Sequence, residues 1–402
     1  MPIYERFGVK PIISLAGPAT RYGGSLMEKE ALEAMDEASK QSVCLDELEA
    51  AASKVIAQIT HAEAGIVTCG ADAALTLGIA ACITGFDVAR MNRLPDTAGM
   101  PNEVIMALHQ ISGYDHSICA AGARIIGVGI PNDTAPPDEV HIISKRDIEA
   151  AITGNTVAIA YAARPGSHPP LEEVIEISKR YNIPVIVDAA AEVAPVENLH
   201  RFIDIGADLV CFSGGKGIRG PQASGILCGR RDLIASAVVQ MLDMAGESYD
   251  KWNPPASLIP KEKLVTRPEH GIGRGMKVSK EAIIGLLVAL QNLTEEKFSE
   301  KAEDIGQLLE SIQARLKAIA GVETRIAEGI CGYPMLKVKI EEKIVGQSAY
   351  EIDRKLREGD PPIYIDNRDQ FLRKGLVIIQ SINMDKDTAR IVSEHLYDAI
   401  TL

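Results

Sequence analysis

The sequence predicts an α/β fold, with a mostly parallel central sheet in a large domain and a smaller α+β C-terminal domain. Several short apolar runs are continuous rather than alternating, which is typical of strands buried on both faces. A helical segment separates two of these runs, as in a βαβ crossover. Beyond residue 265 the order of helices and strands changes, and 402 residues are enough for two domains.

The N-terminal part of the chain predicts an arm followed by helices. Residues 1–30 contain Pro11, Pro18 and several glycines, so we expect an irregular N-terminal arm there. Residues 28–60 repeat apolar side chains at helical spacing in EALEAMDEASK and LDELEAAASKVIAQIT. These helices open the large domain, for which we expect the bounds 31–265.

The strands of the large domain are predicted from its continuous apolar runs. The runs are AGIVTC (64–69), RIIGVG (124–129), TVAIAYA (156–162), PVIVDA (184–189), DLVCFS (208–213) and SGILCG (224–229). Between the third and the fourth, PLEEVIEISKRY (170–181) predicts a crossover helix with a proline near its first turn. Ligands of such open sheets bind beyond the carboxyl ends of the strands.

The segment 266–402 is predicted to form the small domain, after a linker at 247–268 that is rich in proline, lysine and polar residues. It begins with one long helical stretch, 279–319, for which Ser279 is a candidate N-cap. The strand-like ETRIAE and MLKVKI follow. A helix at 348–358, the strand LVIIQ and a last helix at 385–400 complete the α+β pattern.

Composition and charge argue against several classes of function. No apolar run reaches the roughly 18 residues of a membrane span, and the N-terminus lacks a signal-peptide core. The formal net charge of −13 disfavours nucleic-acid binding, which needs clustered Lys and Arg. The seven scattered cysteines form no CxxC pair, which predicts reduced thiols. We therefore expect a cytoplasmic protein with no membrane, nucleic-acid or metal partner.

Two strand ends carry patterns that are weak when taken alone. TCGADAALTLGIAAC (68–82) predicts a strand, a glycine turn and a helix whose first N–H groups can bind an anion. Taken alone, the segment is more simply interpreted as an ordinary strand–turn–helix joint. Asp188 is the first charge after a buried strand, and its carboxylate could pair with a protonated pyridine nitrogen. A helix N-cap is the simpler interpretation of that position.

A lysine at a third strand end carries the strongest pattern. Lys216 follows the strand DLVCFS and is flanked by Gly214, Gly215 and Gly217. Glycines let the backbone turn sharply and approach a flat group closely, whereas a surface lysine in a hairpin does not need them. A buried lysine has a lowered pKa, so its amine can form an imine. GKGIRG (215–220) also matches GxGxxG, but a strand follows it where a dinucleotide site needs a helix.

At these residues the chain resembles the fold-type-I pyridoxal-5′-phosphate (PLP) enzymes, in the L-seryl-tRNA selenium transferase-like family. SGGKGIRGPQASG is similar to that family's Ser-Gly-x-Lys…Gly-Pro-Gln-x-Gly motif, with one extra residue before the last glycine. The resemblance extends from roughly residue 10 to residue 300 and includes GMKVSKEAIIGLL (275–287). AGPATRYGGS and LDELEAAASKVIAQITHAEAGIVTCGADAA resemble its ammonia-lyase branch. The resemblance implies an aspartate aminotransferase-like fold.

The resemblance also implies roles for the residues at matching positions. Lys216 would be the Schiff-base lysine, and Asp188 would be the partner of the pyridine nitrogen. The cofactor phosphate would be held by Ser213 and by the loop residues Cys69, Gly70 and Ala71. Gln222 would fix the lysine loop.

Two further charged residues can be compared with the family: Lys277 matches it, and Asp72 departs from it. Lys277 matches a basic residue near the phosphate that is reached from the partner subunit, which implies a homodimer or a higher homo-oligomer. Asp72 departs from the family, whose members often have a small residue there. A carboxylate beside a phosphate is unfavourable unless it points away.

Six further residues are candidates for ring stacking or substrate binding, and each also fits a solvated surface position. His116 precedes the strand at 124–129, where a ring-stacking residue could lie. The candidates for a substrate carboxylate or phosphate are Arg21, Arg164, His168, Arg274 and Arg373.

The resemblance implies an enzyme that removes the α-proton of an amino acid, with Lys216 as the base. Our expected reaction is release of ammonia from a small β-hydroxy amino acid, sugar-derived ones included, to give a 2-oxo acid. Racemisation or epimerisation and β-replacement use the same carbanion and remain alternatives. A tRNA-dependent selenium transferase fits the net charge poorly, and a non-enzymatic binding protein would not need Lys216.

Overall fold

A computed structural model describes residues 3–129, 143–243 and 248–402. In chain order its α-helices are α1 (Lys29–Ser39), α2 (Leu45–Thr60), α3 (Ala71–Thr84), α4 (Val88–Arg93), α5 (His116–Ala120), α6 (Lys145–Ala151), α7 (Leu171–Tyr181), α8 (Asn198–Ile205), α9 (Arg231–Met241), α10 (Lys280–Asn292), α11 (Glu295–Leu316), α12 (Glu342–Val345), α13 (Ala349–Glu358), α14 (Asp369–Leu372) and α15 (Lys386–Thr401).

The strands are, in the same order, β1 (Ile13–Leu15), β2 (Ala64–Thr68), β3 (Glu103–Ala107), β4 (Arg124–Val128), β5 (Thr156–Ala162), β6 (Val185–Asp188), β7 (Leu209–Ser213), β8 (Gly225–Gly229), β9 (Val322–Glu328), β10 (Pro334–Ile340), β11 (Ile363–Ile365) and β12 (Leu376–Gln380). These elements form two compact units. The large unit is Met27–Asn292, and the small unit joins the described residues up to Leu26 with Leu293–Leu402.

The large unit is built on a seven-stranded sheet with the order β2-β8-β7-β6-β5-β3-β4. Neighbouring strands from β7 to β4 are parallel, whereas β8 is antiparallel to both β7 and β2. Every residue of β2 and β8 is buried, as the continuous apolar runs predicted. The prediction of a mostly parallel α/β sheet is confirmed.

Strand β3 was not predicted from the sequence. It begins at Glu103, a charged residue that is 5% exposed. Arg124 forms an ion pair with the Glu103 carboxylate, and Thr153 Oγ1 donates a hydrogen bond to it at 2.7 Å. These two partners allow a carboxylate to begin a buried strand.

The outer edge of β2 is covered by side chains of α2. Ser53 Oγ accepts a hydrogen bond from the Gly65 N–H at 3.1 Å, and Glu49 Oε2 accepts one from the Val67 N–H at 2.9 Å. These two side chains satisfy backbone groups that an edge strand would otherwise leave open to pairing with another chain.

The small unit contains an antiparallel sheet with the order β12-β10-β9 and a parallel pair of β1 with β11. The N-terminal segment expected to be irregular therefore contributes a short strand, because Ile13–Leu15 find a partner at Ile363–Ile365. Helices α11, α13 and α15 each bury an apolar face. Among the described helices, none is long and apolar enough to cross a membrane.

The compact units divide the chain at different positions from those expected. The sequence placed the boundary at 265–266, whereas α10 remains in the large unit, where it packs against α1 and α2. The helical stretch predicted at 279–319 is two helices, because Thr294 Oγ1 accepts the Lys297 N–H and begins α11. The described part of the predicted linker, 248–268, is not a linker; Trp252 and Leu258 are buried in the core of the large unit.

Candidate active site

The carboxyl ends of several strands meet at one edge of the large unit's sheet. β5, β6 and β7 are adjacent and parallel. β2 runs parallel to β7 because both strands pair antiparallel with β8. This edge therefore receives the residues at and after Thr68, Ala162, Asp188 and Ser213. Ligands of open α/β sheets bind outside such an edge.

Cys69 and Gly70 connect β2 to α3 and form the predicted anion loop. Gly70 has a φ of +145°, which glycine adopts far more readily than other residues. Thr68 Oγ1 donates a hydrogen bond to the Gly70 carbonyl at 2.8 Å and closes the turn. Within the part of the chain that the structure describes, no side chain caps the first turn of α3, so its N–H groups can bind an anion.

Gly225, the first residue of β8, lies directly against this loop. A Cβ at this position would be 2.5 Å from the Gly70 carbonyl carbon and 2.7 Å from the Ala71 nitrogen. Only glycine therefore lets β8 approach the loop this closely. The sequence pattern did not reveal this contact, although Gly225 is the last glycine of the lysine motif.

Asp72 lies in the first turn of α3. Burial raises the pKa of its carboxyl, the nearby Asp188 carboxylate raises it further, and His116 opposes the rise. The residue at which the chain departs from the family is thus electrostatically connected to two other predicted site residues.

Asp188 is the last residue of β6 and is half-buried at the sheet edge. Its Oδ1 accepts the Ala190 N–H at 3.0 Å, and the Cys211 thiol lies 4.0 Å from the same oxygen. The chain turns after Asp188, and the next helix, α8, begins at Asn198. Asp188 is therefore not a helix N-cap, and its carboxylate lies at the edge where ligands bind.

Lys216 lies in a tight loop between β7 and β8. The Gly214 N–H donates to the Ser224 carbonyl at 2.9 Å, and the Gly220 N–H donates to the Gly214 carbonyl at 2.8 Å. A Cβ on Gly214 would be 2.1 Å from Ser224 Oγ, so this glycine allows a close backbone approach. Burial raises the pKa of the Cys211 thiol, and the positive charge of the half-buried Lys216 opposes the rise.

Arg219 supports the lysine loop and was not predicted from the sequence. Its φ of +58° lies in the left-handed region, which is uncommon for a residue other than glycine. Its side chain is 9% exposed, and its Nε lies 2.7 Å from a carboxylate oxygen of Glu28. The ion pair holds a strained residue three positions from Lys216. An arginine between glycines, in GIRG, was the available signal.

The structure brings Arg164 and His116 to the neighbourhood of Asp188. Arg164 follows β5 and places a guanidinium nitrogen 3.4 Å from Ser112 Oγ. Burial raises the pKa of Asp115, Arg164 and His116 lower it, and Asp188 raises it. These charges therefore act on one another at the same sheet edge. His168 is half-buried in the same loop as Arg164, with its N–H 3.4 Å from His109 Nε2.

Two other predicted residues lie on the segment that leads into α10. Arg274 pairs with Asp243 at 2.8 Å, so this guanidinium already has an anionic partner. Lys277 is exposed. Gly271 and Gly273 fix the segment on α9, because a Cβ on either would overlap the backbone of Gln240 or Met241.

Arg21 and Arg373 belong to the small unit. Arg21 lies on a short 3-10 helix and contacts the ring of Tyr22, with its guanidinium carbon 5.8 Å from the ring centroid. Arg373 is 75% exposed and forms an ion pair with Asp369 at 2.5 Å. Both side chains therefore have local partners within their own unit.

Comparisons with known proteins place the chain among PLP-type folds. The family model described as aminotransferase class-V matches residues 128–342, and that of the DegT/DnrJ/EryC1/StrS aminotransferase family matches residues 27–219. A solved structure of D-glucosaminate-6-phosphate ammonia-lyase superposes with a TM-score of 0.81 at 26% identity, covering 100% of this chain and 98% of that chain.

Three proteins with similar sequences are named for different activities. The 5′-C-glycyluridine monooxygenase-decarboxylase of a Streptomyces species is 29% identical, over 99% of this chain and 92% of its own. The D-glucosaminate-6-phosphate ammonia lyase of Salmonella typhimurium is 28% identical, over 90% and 88%. An L-seryl-tRNA(Sec) selenium transferase of Alkaliphilus metalliredigens is 27% identical, over 65% and 55%. The predicted family resemblance and fold-type-I fold are confirmed.

Proposed function

The chain belongs to the aminotransferase class-V family, and from that premise we propose that it is a PLP-dependent ammonia-lyase. Its substrate is a small β-hydroxy amino acid, including sugar-derived ones such as D-glucosaminate 6-phosphate, and its products are ammonia and a 2-oxo acid. The observation that carries the proposal is the sheet edge at which an uncapped helix, a carboxylate and a glycine-held lysine follow three different strands. The relatives named as ammonia-lyases support the reaction class.

The residues at this edge fit PLP. The uncapped first turn of α3 and the loop Cys69–Gly70–Ala71 suit a phosphate, with Ser213 as an additional hydroxyl. The Asp188 carboxylate suits a protonated pyridine nitrogen, and the Lys216 amine suits covalent attachment. His116 is positioned on α5 as the candidate for stacking on the ring.

When bound, the cofactor supplies an electron sink that acidifies the α-proton of an attached amino acid. Lys216 would accept that proton, because its loop follows β7 at the same sheet edge. The Asp188 carboxylate would pair with the protonated ring nitrogen and favour that form of the ring. Arg164 is the best-placed candidate for a substrate carboxylate or phosphate, since it follows β5 at this edge.

The substrate assay measures ammonia and 2-oxo acid together, with D-glucosaminate 6-phosphate and with D- and L-β-hydroxy amino acids. We expect both products in equal amounts from at least one substrate. Lys216→Ala should abolish the reaction and Lys251→Ala, an exposed lysine of the same unit, should not. Fast exchange of the α-proton with deuterated solvent, without a 2-oxo acid, would replace the lyase with a racemase or epimerase.

An oxygen-dependent decarboxylation is the second candidate, because a relative covering 99% of the chain is named a monooxygenase-decarboxylase. The same samples are therefore followed for oxygen uptake and carbon dioxide release. Oxygen uptake that matches carbon dioxide release, without ammonia, would favour this reaction. Equal rates of ammonia release with and without oxygen would support the lyase.

Cofactor attachment has its own test. The purified protein should be yellow, and borohydride reduction should fix the cofactor on the peptide that contains Lys216. Mapping the reduced adduct to any other lysine would contradict the assignment.

We further propose that the enzyme acts in the cytoplasm as a homodimer or a multiple of it, with Lys277 reaching the cofactor phosphate of the partner. The exposure of Lys277 supports this arrangement. Mixing inactive Lys216→Ala subunits with inactive Lys277→Ala subunits should restore activity, because some mixed sites would contain both lysines. No recovery, in subunits shown to exchange, would contradict a shared site.

A further inference from the structure

A cluster of two histidines and an aspartate lies away from the strand ends that form the candidate active site. His61 directly follows α2 and precedes β2, and His200 and Asp204 lie one turn apart on α8, which precedes β7. Because β2 and β7 are parallel, their amino ends lie at the edge of the sheet opposite the lysine loop. The cluster therefore joins two connections that enter the sheet from the other side.

The three side chains point at one another. His61 Nδ1 lies 2.9 Å and 3.1 Å from the two carboxylate oxygens of Asp204. His200 Nδ1 lies 2.7 Å from Asp204 Oδ2. The two imidazole rings are stacked, with centroids 4.2 Å apart. The three potential ligand atoms thus lie within 4.8 Å of one another.

The backbone favours this convergence. His61 adopts a φ of +56°, which turns the chain out of α2 and brings its ring towards α8. His200 and Asp204 are four residues apart, so they share one face of α8. Asp204 is 47% exposed, and the carboxylate is therefore reachable from solvent.

These distances match those between ligands of a single metal ion. Imidazole nitrogen and carboxylate oxygen bind a zinc-like ion at about 2.1 Å, so adjacent ligands are about 3.0 Å apart in octahedral and about 3.4 Å apart in tetrahedral geometry. The N···O distances in the cluster are 2.7–3.1 Å. Two imidazoles and one carboxylate also form a donor set that binds zinc, nickel and copper in preference to magnesium or calcium.

We propose that His61, His200 and Asp204 form a binding site for a divalent transition-metal ion, with water completing the coordination. The ion takes the place of the hydrogens between the two Nδ1 atoms and the carboxylate, and in each neutral imidazole that hydrogen moves to Nε2 when Nδ1 binds the metal. It joins the end of α2 to α8 and stabilises the large unit without touching the strand ends that carry Lys216 and Asp188.

Zinc titration of the PLP-loaded protein by calorimetry tests the site. We expect wild type to show one saturable Zn²⁺ site that His61→Ala and His200→Ala weaken at least ten-fold. Asp204→Asn, which keeps the shape of the side chain, should weaken it as well. His270→Ala is the matched control, since His270 is an exposed histidine of the same unit. Zinc bound by the exposed Cys44 and Cys119 is common to all variants and cancels.

Two further measurements separate a metal site from a simple ion pair. Cu²⁺ bound to wild type should show nitrogen coupling from two imidazoles in its electron paramagnetic resonance spectrum, and from one in either histidine variant. Zn²⁺ should raise the Tm of wild type and His270→Ala but not that of the three cluster variants, with turnover unchanged. Equal zinc affinity and equal Tm shifts in all five proteins would overturn the proposal, as would a wild type without a saturable site.

Discussion

Replacing Glu49 with glutamine will change how the stability of the protein depends on pH. Glu49 lies on α2, is 1% exposed and accepts the Val67 N–H of the edge strand β2. Burial raises the pKa of this carboxyl to about 8, although the hydrogen bond from Val67 opposes the rise. The folded protein therefore keeps the Glu49 proton in a pH range in which the unfolded chain has lost it.

The direction and size of the effect follow from proton linkage. Between the ordinary pKa of 4.5 and the folded pKa of about 8, only the unfolded chain releases the proton, so stability falls as pH rises. One pKa unit corresponds to about 1.4 kcal/mol, and the whole shift therefore costs about 5 kcal/mol. Below pH 4.5 the cost vanishes, and above pH 8 it is constant. Glutamine keeps a hydrogen-bond acceptor and does not titrate.

The assay is urea unfolding at several pH values from 5 to 8.5, with saturating PLP. Trp252, which is buried in the core of the large unit, reports unfolding by fluorescence. The stability of Glu49→Gln relative to wild type should increase by about 1.4 kcal/mol per pH unit from pH 5 towards pH 8 and level off above pH 8. Glu47→Gln, an exposed position on the same helix, is the control and should follow wild type. Parallel pH curves for wild type and Glu49→Gln would refute the reasoning.

Three further substitutions test the candidate site. Gly225→Ala should weaken PLP binding at least ten-fold in a cofactor titration, because its Cβ would overlap Gly70, whereas Gly275→Ala, with open space around it, should not. Asp188→Asn should retain PLP but have a turnover at least about 100-fold lower, because an amide cannot hold the ring nitrogen protonated. A turnover near that of wild type would show that Asp188 only stabilises the turn at Ala190. Arg219→Gly should fold normally, because glycine adopts a φ of +58° without strain. It loses the ion pair with Glu28, so it should form the borohydride-reducible adduct more slowly. An unchanged rate would mean that the ion pair does not position the lysine loop.

Strands buried on both faces were the most predictable part of the fold. The six predicted strands agree with β2 and β4–β8 within one residue at either end, because their continuous apolar runs have no other stable arrangement. β3 was missed because it begins with Glu103, whose charge is compensated by Arg124 and Thr153 from elsewhere in the chain. A partner that distant in sequence leaves no local signal.

The limits of the two units could not be predicted for a similar reason. Strand β1 exists because Ile13–Leu15 pair with Ile363–Ile365, about 350 residues further along the chain. The end of α10 could not be predicted from the sequence, because the residues on both sides of Thr294 favour helix. Only the side chain of Thr294, which caps the first turn of α11, marks the start of the next helix. Both features depend on contacts or caps that periodicity does not reveal.

In the candidate site, residue chemistry indicated Lys216 and Asp188, but it did not indicate what the glycines approach. Gly214 and Gly225 lie at opposite ends of the connection between β7 and β8, and the same connection carries Lys216. Gly214 lies in close contact with Ser224, and Gly225 lies in close contact with the anion loop at Gly70. One hairpin therefore presents the lysine and shapes the loop proposed to hold the phosphate. Because β8 is inserted between β7 and β2, any shift of this hairpin moves both anchors of the cofactor together.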